Sequence, residues 1–167
     1  MKLFTLIGVA AASFLGFANA AIINLDSTDS NNGETLMLGP GKYKVTFISD
    51  DYEAWNAWDR VTDCDTSGEN CSRGWLNNTR ITSSELGSFI FGNNGRFATA
   101  SQALAATSPL MFTLSSLQQV AFEIDDFPVT DNAGGVSLNV EAVPVPAAAL
   151  LFGSAAFGIS AFRRRAV

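Results

Sequence analysis

The sequence predicts an all-β body, an antiparallel β-sandwich of jelly-roll type. Short stretches such as 42–48 and 120–125 alternate between apolar and polar residues, the period of a strand that is buried on one side. Glycine, proline and an Asn-Gly pair separate these stretches. The body has almost no long segment with the 3.6-residue helical period. These three features favour two stacked antiparallel sheets.

The first clear strand is residues 42–48, in which Tyr43, Val45 and Phe47 fall on one face. The apolar residues 36–38 and a Gly-Pro-Gly breaker precede it, and this order predicts a hairpin. Residues 88–91 form a second short apolar strand. Asn94-Gly95 follows it and predicts a two-residue hairpin turn. The small residues 100–107 suit either one helical turn or a loop over the sheet.

The last third alternates most regularly. Residues 111–114 read as a strand, and two further strands follow around Phe122 and Leu138. Strand residues on the apolar faces should form one core. That predicted core comprises Tyr43, Val45, Phe47, Phe89, Phe91, Phe112, Val120, Phe122, Ile124, Val136, Leu138 and Val140.

The N-terminus has the parts of a secretory signal peptide. Lys2 precedes an apolar run from 3 to 17, and Ala18-Asn19-Ala20 ends it with small residues at the positions that signal peptidase reads. We therefore predict a signal peptide at residues 1–20, cleaved after Ala20. A retained N-terminal anchor is the alternative.

The C-terminus combines a proline pair, an apolar run and a basic cluster. A helix over 147–162 would span about 24 Å, slightly less than the hydrocarbon core of a bilayer. The arginines behind it can reach the headgroups and keep that end cytoplasmic. The proline pair lies in Val143-Pro144-Val145-Pro146, and the cluster is Arg163, Arg164 and Arg165.

This three-part end resembles the PEP-CTERM sorting signal of exopolysaccharide-producing Gram-negative bacteria. Val145 replaces the glutamate of the usual Pro-Glu-Pro. The resemblance implies processing by an exosortase, an inner-membrane stage through the C-terminal helix, and a final place in the envelope or extracellular matrix. A plain C-terminal anchor is the alternative. The chain then divides into a signal peptide (1–20), a body (21–141) and a sorting signal (142–167).

Composition excludes several classes of function. The chain carries a net charge of −6, but its four terminal basic residues lie outside the body, so the body itself carries −10. Such a charge disfavours nucleic acid and favours cations. Histidine is absent from the sequence, which excludes Ser-His-Asp and Cys-His catalysis and the commonest zinc ligand.

The two cysteines, Cys64 and Cys71, predict a disulfide in an exported body. The segment that begins at Asp63 and continues through Asp65 starts like an EF-hand calcium loop. Its twelfth position is Gly74, where an EF-hand has glutamate. A full EF-hand is excluded, whereas a partial calcium loop and a solvated acidic turn stay open. Trp55, Trp58 and Trp75 flank this loop; we favour a packed corner, with sugar stacking as the alternative.

The stretch 125–135 concentrates oxygen ligands before a Gly-Gly pair. Carboxylates, amides and hydroxyls are the ligands that calcium prefers, although the same residues also favour plain turns. The segment resembles the closing hairpin of exported bacterial jelly rolls and, more distantly, galactose-binding calcium lectins. That resemblance implies Ca²⁺ ligands at Asp126, Thr130 and Asn132, with Asp125 and Asp131 as further candidates.

Three functions follow from the sequence. The first is a non-catalytic envelope or matrix protein, associated with extracellular polysaccharide and biofilm. The second is a calcium-dependent carbohydrate-binding module. The third, a glycosidase, is the enzyme class that needs no histidine, because two carboxylates suffice. Its candidate residues are Asp51, Glu53 and Glu69, and no pattern singles them out. We expect no enzyme.

Overall fold

A computed structural model describes residues 20–31, 33–65, 67 and 73–144. Over these residues the chain forms nine strands, one short α-helix and one 3-10 helix, η1. The elements are β1 (Ala20–Asp26), β2 (Gly33–Leu38), β3 (Gly41–Ile48), β4 (Trp55–Asn56), β5 (Trp75–Ser83), β6 (Gly87–Phe97), α1 (Ala100–Ala105), β7 (Leu110–Leu114), β8 (Gln118–Glu123), η1 (Val129–Asp131) and β9 (Ala133–Ala142).

The strands form two antiparallel layers. The first layer has the order β1-β9-β3-β7, and the second has the order β2-β8-β5-β6. The two-residue strand β4 pairs with both β5 and the start of β9, and so joins the layers at one corner. The prediction of an all-β sandwich is confirmed.

One core lies between the layers, and the alternation seen in the sequence builds it. Eleven of the twelve predicted core residues are buried, and Phe89 is half-buried against them. The rings of Phe47 on β3 and Phe91 on β6 stack with centroids 4.8 Å apart, so they tie one layer to the other. Period-two patterning therefore predicted which side chains face inward.

The predicted hairpin between 36–38 and 42–48 is wrong. Leu38 ends β2 in the second layer, where β2 pairs with β8, whereas Gly41 begins β3 in the first layer. The intervening Gly39 and Pro40 carry the chain from one layer to the other. A Gly-Pro-Gly breaker ends a strand, but it does not determine which strand the next one pairs with.

Asn94-Gly95 does not form the predicted hairpin turn either. Both residues lie inside β6, where the pairing with β5 jumps from Asn77–Asn93 to Trp75–Phe97. The extra residues of β6 form a bulge, and the Asn93 carboxamide oxygen accepts the Gly95 N–H at 2.7 Å. Asn and Gly suit a bulge for the reason that they suit a turn, since both permit irregular backbone.

A tight hairpin joins β5 to β6 through residues 84–86. The small residues after β6 form α1, which settles the choice left open by the sequence. Thr99 caps this helix, because its side chain accepts the Gln102 N–H while the Gln102 side chain accepts the Thr99 N–H.

The predicted closing hairpin of β8 and β9 is also wrong. β8 pairs with β2 and β5 in the second layer, and β9 pairs with β1 and β3 in the first. Residues 124–132 therefore cross between the layers. At the end of this crossing Gly134 has a φ of 77°, a conformation that favours glycine. A Cβ on Gly134 would lie 2.5 Å from the Ala54 carbonyl oxygen, so only glycine fits this approach.

The predicted terminal segments lie almost entirely outside the described residues. This is true of the signal peptide except Ala20, of the apolar run 147–162, and of Val145, Pro146, Arg163, Arg164 and Arg165. In the part of the chain that is described, no helix has the length and apolar character needed to cross a bilayer. Val143 is described, and its N–H donates to the Lys42 carbonyl at 2.8 Å.

Candidate functional site

The crossing from β8 to β9 carries the residues predicted to bind calcium. It leaves β8 after Glu123, buries Ile124 in the core, and then turns through the cis Phe127–Pro128 bond into η1. Asn132 anchors its far end, since the Asn132 Nδ2 donates to the Ser27 carbonyl at 2.9 Å. The crossing is thus held at both ends, and its middle faces solvent.

The structure separates the five predicted calcium ligands by role. Asp125 is exposed and ion-paired with Arg80, and Asp126 is half-buried. Thr130 and Asp131 are exposed on η1, where the Asp131 carbonyl accepts the Asp59 N–H. Asn132 is 7% exposed and its Oδ1 has no hydrogen-bond partner. Within the described ranges no three acidic or cysteine side chains are grouped to hold a metal. The calcium site stays a prediction.

A pocket of about 310 Å³ opens beside the first half of this crossing. Phe127 stands at the pocket and is 92% exposed, the most exposed of the large apolar side chains among the described residues. The β1–β2 connection contributes Ser30 to the lining. The pocket is lined by Ser30, Glu123, Ile124, Asp125, Asp126, Phe127 and Val129.

Arg80 on β5 organises the charges at one side of the pocket. Its guanidinium donates to the Asp125 carboxylate and lies 3.7 Å from the Glu123 carboxylate. The hydrogen bond to Asp125 raises the pKa of Arg80, so its positive charge is held at every physiological pH. No ion pair of the described residues involves Asp126, whereas Glu123 and Asp125 share one guanidinium. The pocket therefore carries net negative charge.

The three tryptophans do not form an open stacking surface. Trp55 is 5% exposed and its Nε1 donates to the Asn78 side chain at 3.1 Å. Trp58 is half-buried under the Arg96 guanidinium, which lies 3.9 Å from the ring centroid. Trp75 is half-buried, and its ring lies over Gly134. These contacts favour the packed corner over sugar stacking.

Sequence reasoning missed Phe127 as the exposed aromatic. It lies in a polar crossing directly before a proline, outside every alternating stretch. That position was the available signal, because an aromatic residue that no strand pattern directs inward has no predicted place in the core. Periodicity finds buried residues, and an exposed aromatic has to be found by its exclusion from the pattern.

The cysteine loop is described in part. Cys64 is half-buried and is not a free thiol, while Cys71 lies outside the described residues. The Cys64–Cys71 pairing therefore stays a prediction. Asp63 accepts the Arg73 N–H at 2.8 Å, and Asp65 accepts the Ser67 N–H at 3.0 Å. These bonds use both carboxylates to hold the loop, as in the solvated acidic turn.

The carboxylates considered for glycosidase chemistry are also engaged. Asp51 accepts the Asn24 amide at 2.9 Å, and Glu53 accepts hydroxyls from Ser101 at 2.8 Å and Ser49 at 2.9 Å. Those two hydroxyls lower the pKa of Glu53, whereas a catalytic acid needs a raised pKa. Glu69 lies outside the described residues. This arrangement suits structural carboxylates.

Comparison with protein-family models, with curated proteins and with solved structures found no match to the chain.

Proposed function

We propose that this chain is an exported, non-catalytic protein of the cell envelope or extracellular matrix, processed by an exosortase-type enzyme. Its body is a jelly roll. The strand orders β1-β9-β3-β7 and β2-β8-β5-β6 support that class, because each layer interleaves early and late strands as two Greek keys do.

The positions of the start of β1 and the end of β9 carry the proposal. β1 begins at Ala20, the last residue of the predicted signal peptide, and β9 ends at Ala142, the first residue of the predicted sorting signal. Ala20 pairs with Glu141, so the start of β1 and the end of β9 lie side by side. The strands therefore occupy the interval between the two predicted signals and overlap each of them by one residue.

This arrangement is compatible with cutting at both ends. Ala20 is exposed and belongs to the outermost pair of the β1–β9 ladder, so cleavage after it removes one pair and leaves six. Pro144 is exposed and follows the last strand. A processing enzyme would therefore meet chain at the margin of the fold, and the core would stay intact.

Processing in a Gram-negative host tests the proposal. The full chain is expressed with and without an exosortase, and the products are measured by mass spectrometry and membrane fractionation. We expect loss of residues 1–20 in both hosts and shortening at the C-terminus only with the enzyme. Deleting Arg163, Arg164 and Arg165 should block that shortening and alter surface retention.

A charge-preserving variant provides the matched control. Replacing the same three arginines by lysine keeps the positive end that orients the segment, so processing should continue. Unchanged processing in the deletion variant would contradict the sorting signal. Retention of Met1 in the mature protein would contradict the signal peptide.

A further inference from the structure

The pocket beside Phe127 presents an apolar ring and polar groups to the same space. Phe127 is 92% exposed, while Ile124 and Val129 add apolar surface to the lining. An aromatic face gives sugar rings and cations a surface to stack against. A volume of about 310 Å³ is at the small end for ligand pockets, which suits one small ring.

The polar groups of the pocket are nearly all hydrogen-bond acceptors. Glu123, Asp125 and Asp126 offer carboxylate oxygens, and the Ser30 hydroxyl can both donate and accept. The nearby cation, Arg80, already donates to Asp125 and Ser88. The lining therefore favours a ligand rich in donors, and an ammonium group has three donors and no acceptor.

Charge favours the same ligand. The lining has three carboxylates, of which Arg80 pairs with two, and the body as a whole carries more acidic than basic residues. Phosphate and other anions are repelled, whereas an organic cation is attracted both by the carboxylates and by the negative face of the Phe127 ring. A bare metal ion would use the carboxylates but not the ring.

We propose that this pocket binds a cationic amino sugar, with the sugar ring stacked on Phe127 and its ammonium group bonded to Asp126. Glu123 and Asp125 contribute negative charge, and the Ser30 hydroxyl bonds to a ring hydroxyl. As a physiological partner this sugar rests on the proposed envelope or matrix role, in which a polysaccharide with free amino groups would supply it.

Binding is tested on the purified full-length chain in detergent by saturation-transfer NMR, at about pH 6, where amines are protonated. The probes are glucosamine, N-acetylglucosamine and butylamine. The first two share a ring and differ in the charge at nitrogen, and the third carries the charge without the ring. We expect saturation of the glucosamine ring protons and a signal from each other probe that is weaker by roughly two- to fivefold.

Two variants locate the site. Phe127→Ala removes the stacking face, and Asp126→Asn removes the charge while keeping the shape of the side chain. Each should weaken glucosamine binding by roughly two- to fivefold. Leu117→Ala is the matched control, because Leu117 is 66% exposed in the turn at the other end of β8. It should bind as the parent does.

Four results would overturn the proposal. Equal signals from N-acetylglucosamine would indicate a neutral-sugar site, and equal signals from butylamine would indicate charge attraction alone. Displacement of glucosamine by Ca²⁺, but not by Na⁺ at the same ionic strength, would indicate a metal site. Unchanged binding in both site variants would place the ligand elsewhere. Any of these would leave the processing test of the export proposal unaffected, so the two can fail separately.

Discussion

The two ends of β8 use acidic residues in opposite ways. At its start, which we call the latched end, Glu85 joins two turns. The Glu85 carboxylate accepts the Ser115 N–H at 3.0 Å and the Gln118 amide at 2.8 Å. Gln118 accepts in return from Ser84 at 2.9 Å and from the Glu85 N–H at 3.1 Å. The protein's own donors occupy this carboxylate.

At the other end of β8, which we call the open end, the chain enters the crossing that contains Asp126 and Phe127. Here a carboxylate and an aromatic ring line a pocket, and no ion pair of the described residues involves Asp126. The comparison shows that acidity alone does not mark a site. A carboxylate whose acceptors are filled holds the fold, whereas one beside a pocket and an exposed ring can receive a ligand.

The largest effect on stability should come from a substitution within β8, between its two ends. Phe122 on β8 is 0% exposed, so Phe122→Ala should lower the free energy of unfolding by about 3 to 5 kcal/mol. Phe127→Ala removes the same type of side chain from a solvent-exposed position. It should change the free energy of unfolding by less than about 0.5 kcal/mol. Thermal melts of the two variants measure this difference. Similar melting temperatures would mean that Phe127 packs against something at the open end.

The next largest effect on stability should come from a substitution in β9, the strand that follows the crossing at the open end. A Cβ on Gly135 would meet the Leu25 carbonyl and would lie 2.8 Å from the Tyr52 ring, so Gly135→Ala should destabilise by about 1 to 3 kcal/mol. At Gly39 a Cβ meets nothing within 4 Å, which makes Gly39→Ala the matched control. Urea titrations compare the two. Equal midpoints would show that β9 can move away from β1.

A smaller effect should distinguish the latched end by its pH dependence. Hydrogen bonds, first from the Ser115 N–H, lower the pKa of Glu85 below its ordinary value of 4.5. A lowered pKa means that ionised Glu85 stabilises the fold above pH 4.5, and that this stability is lost as the pH falls through the lowered pKa. Glu85→Gln should therefore lower the melting temperature at pH 7. On acidification, the melting temperature of this variant should fall less than that of the parent.

Melts of the parent and of Glu85→Gln between pH 7 and pH 2 provide the measurement. Some acid dependence should remain in the variant, because the pKa of Glu53 is lowered as well. Parallel curves for the two proteins would contradict the role of Glu85.

The smallest effect should come from calcium. An ion at 100 times its dissociation constant would stabilise the fold by about 2.7 kcal/mol. We expect no such shift, because Arg80 engages Asp125 and because the described residues group no three acidic side chains around one point. Melts with excess calcium and then with chelator check this. A rise that disappears in Asp126→Ala would establish the calcium turn predicted from the sequence.

The sequence determined the fold class and the inward faces of the strands. Burial depends on which residues alternate, so Val45, Phe122 and Leu138 could be placed in the core without knowing any partner strand. Composition also determined what the chain lacks, since the absence of histidine excludes whole classes of chemistry. These are properties that each segment carries by itself.

Only the tertiary structure decided the pairing of strands and the use of each polar residue. Three predicted hairpins failed because a turn signal marks where a strand ends, while long-range packing between layers selects its neighbour. Asp125 and Asp126 are adjacent in the chain, yet one is ion-paired with Arg80 and the other lines a pocket. That difference arises because Arg80 is brought from a strand 45 residues away, a contact that local sequence cannot encode.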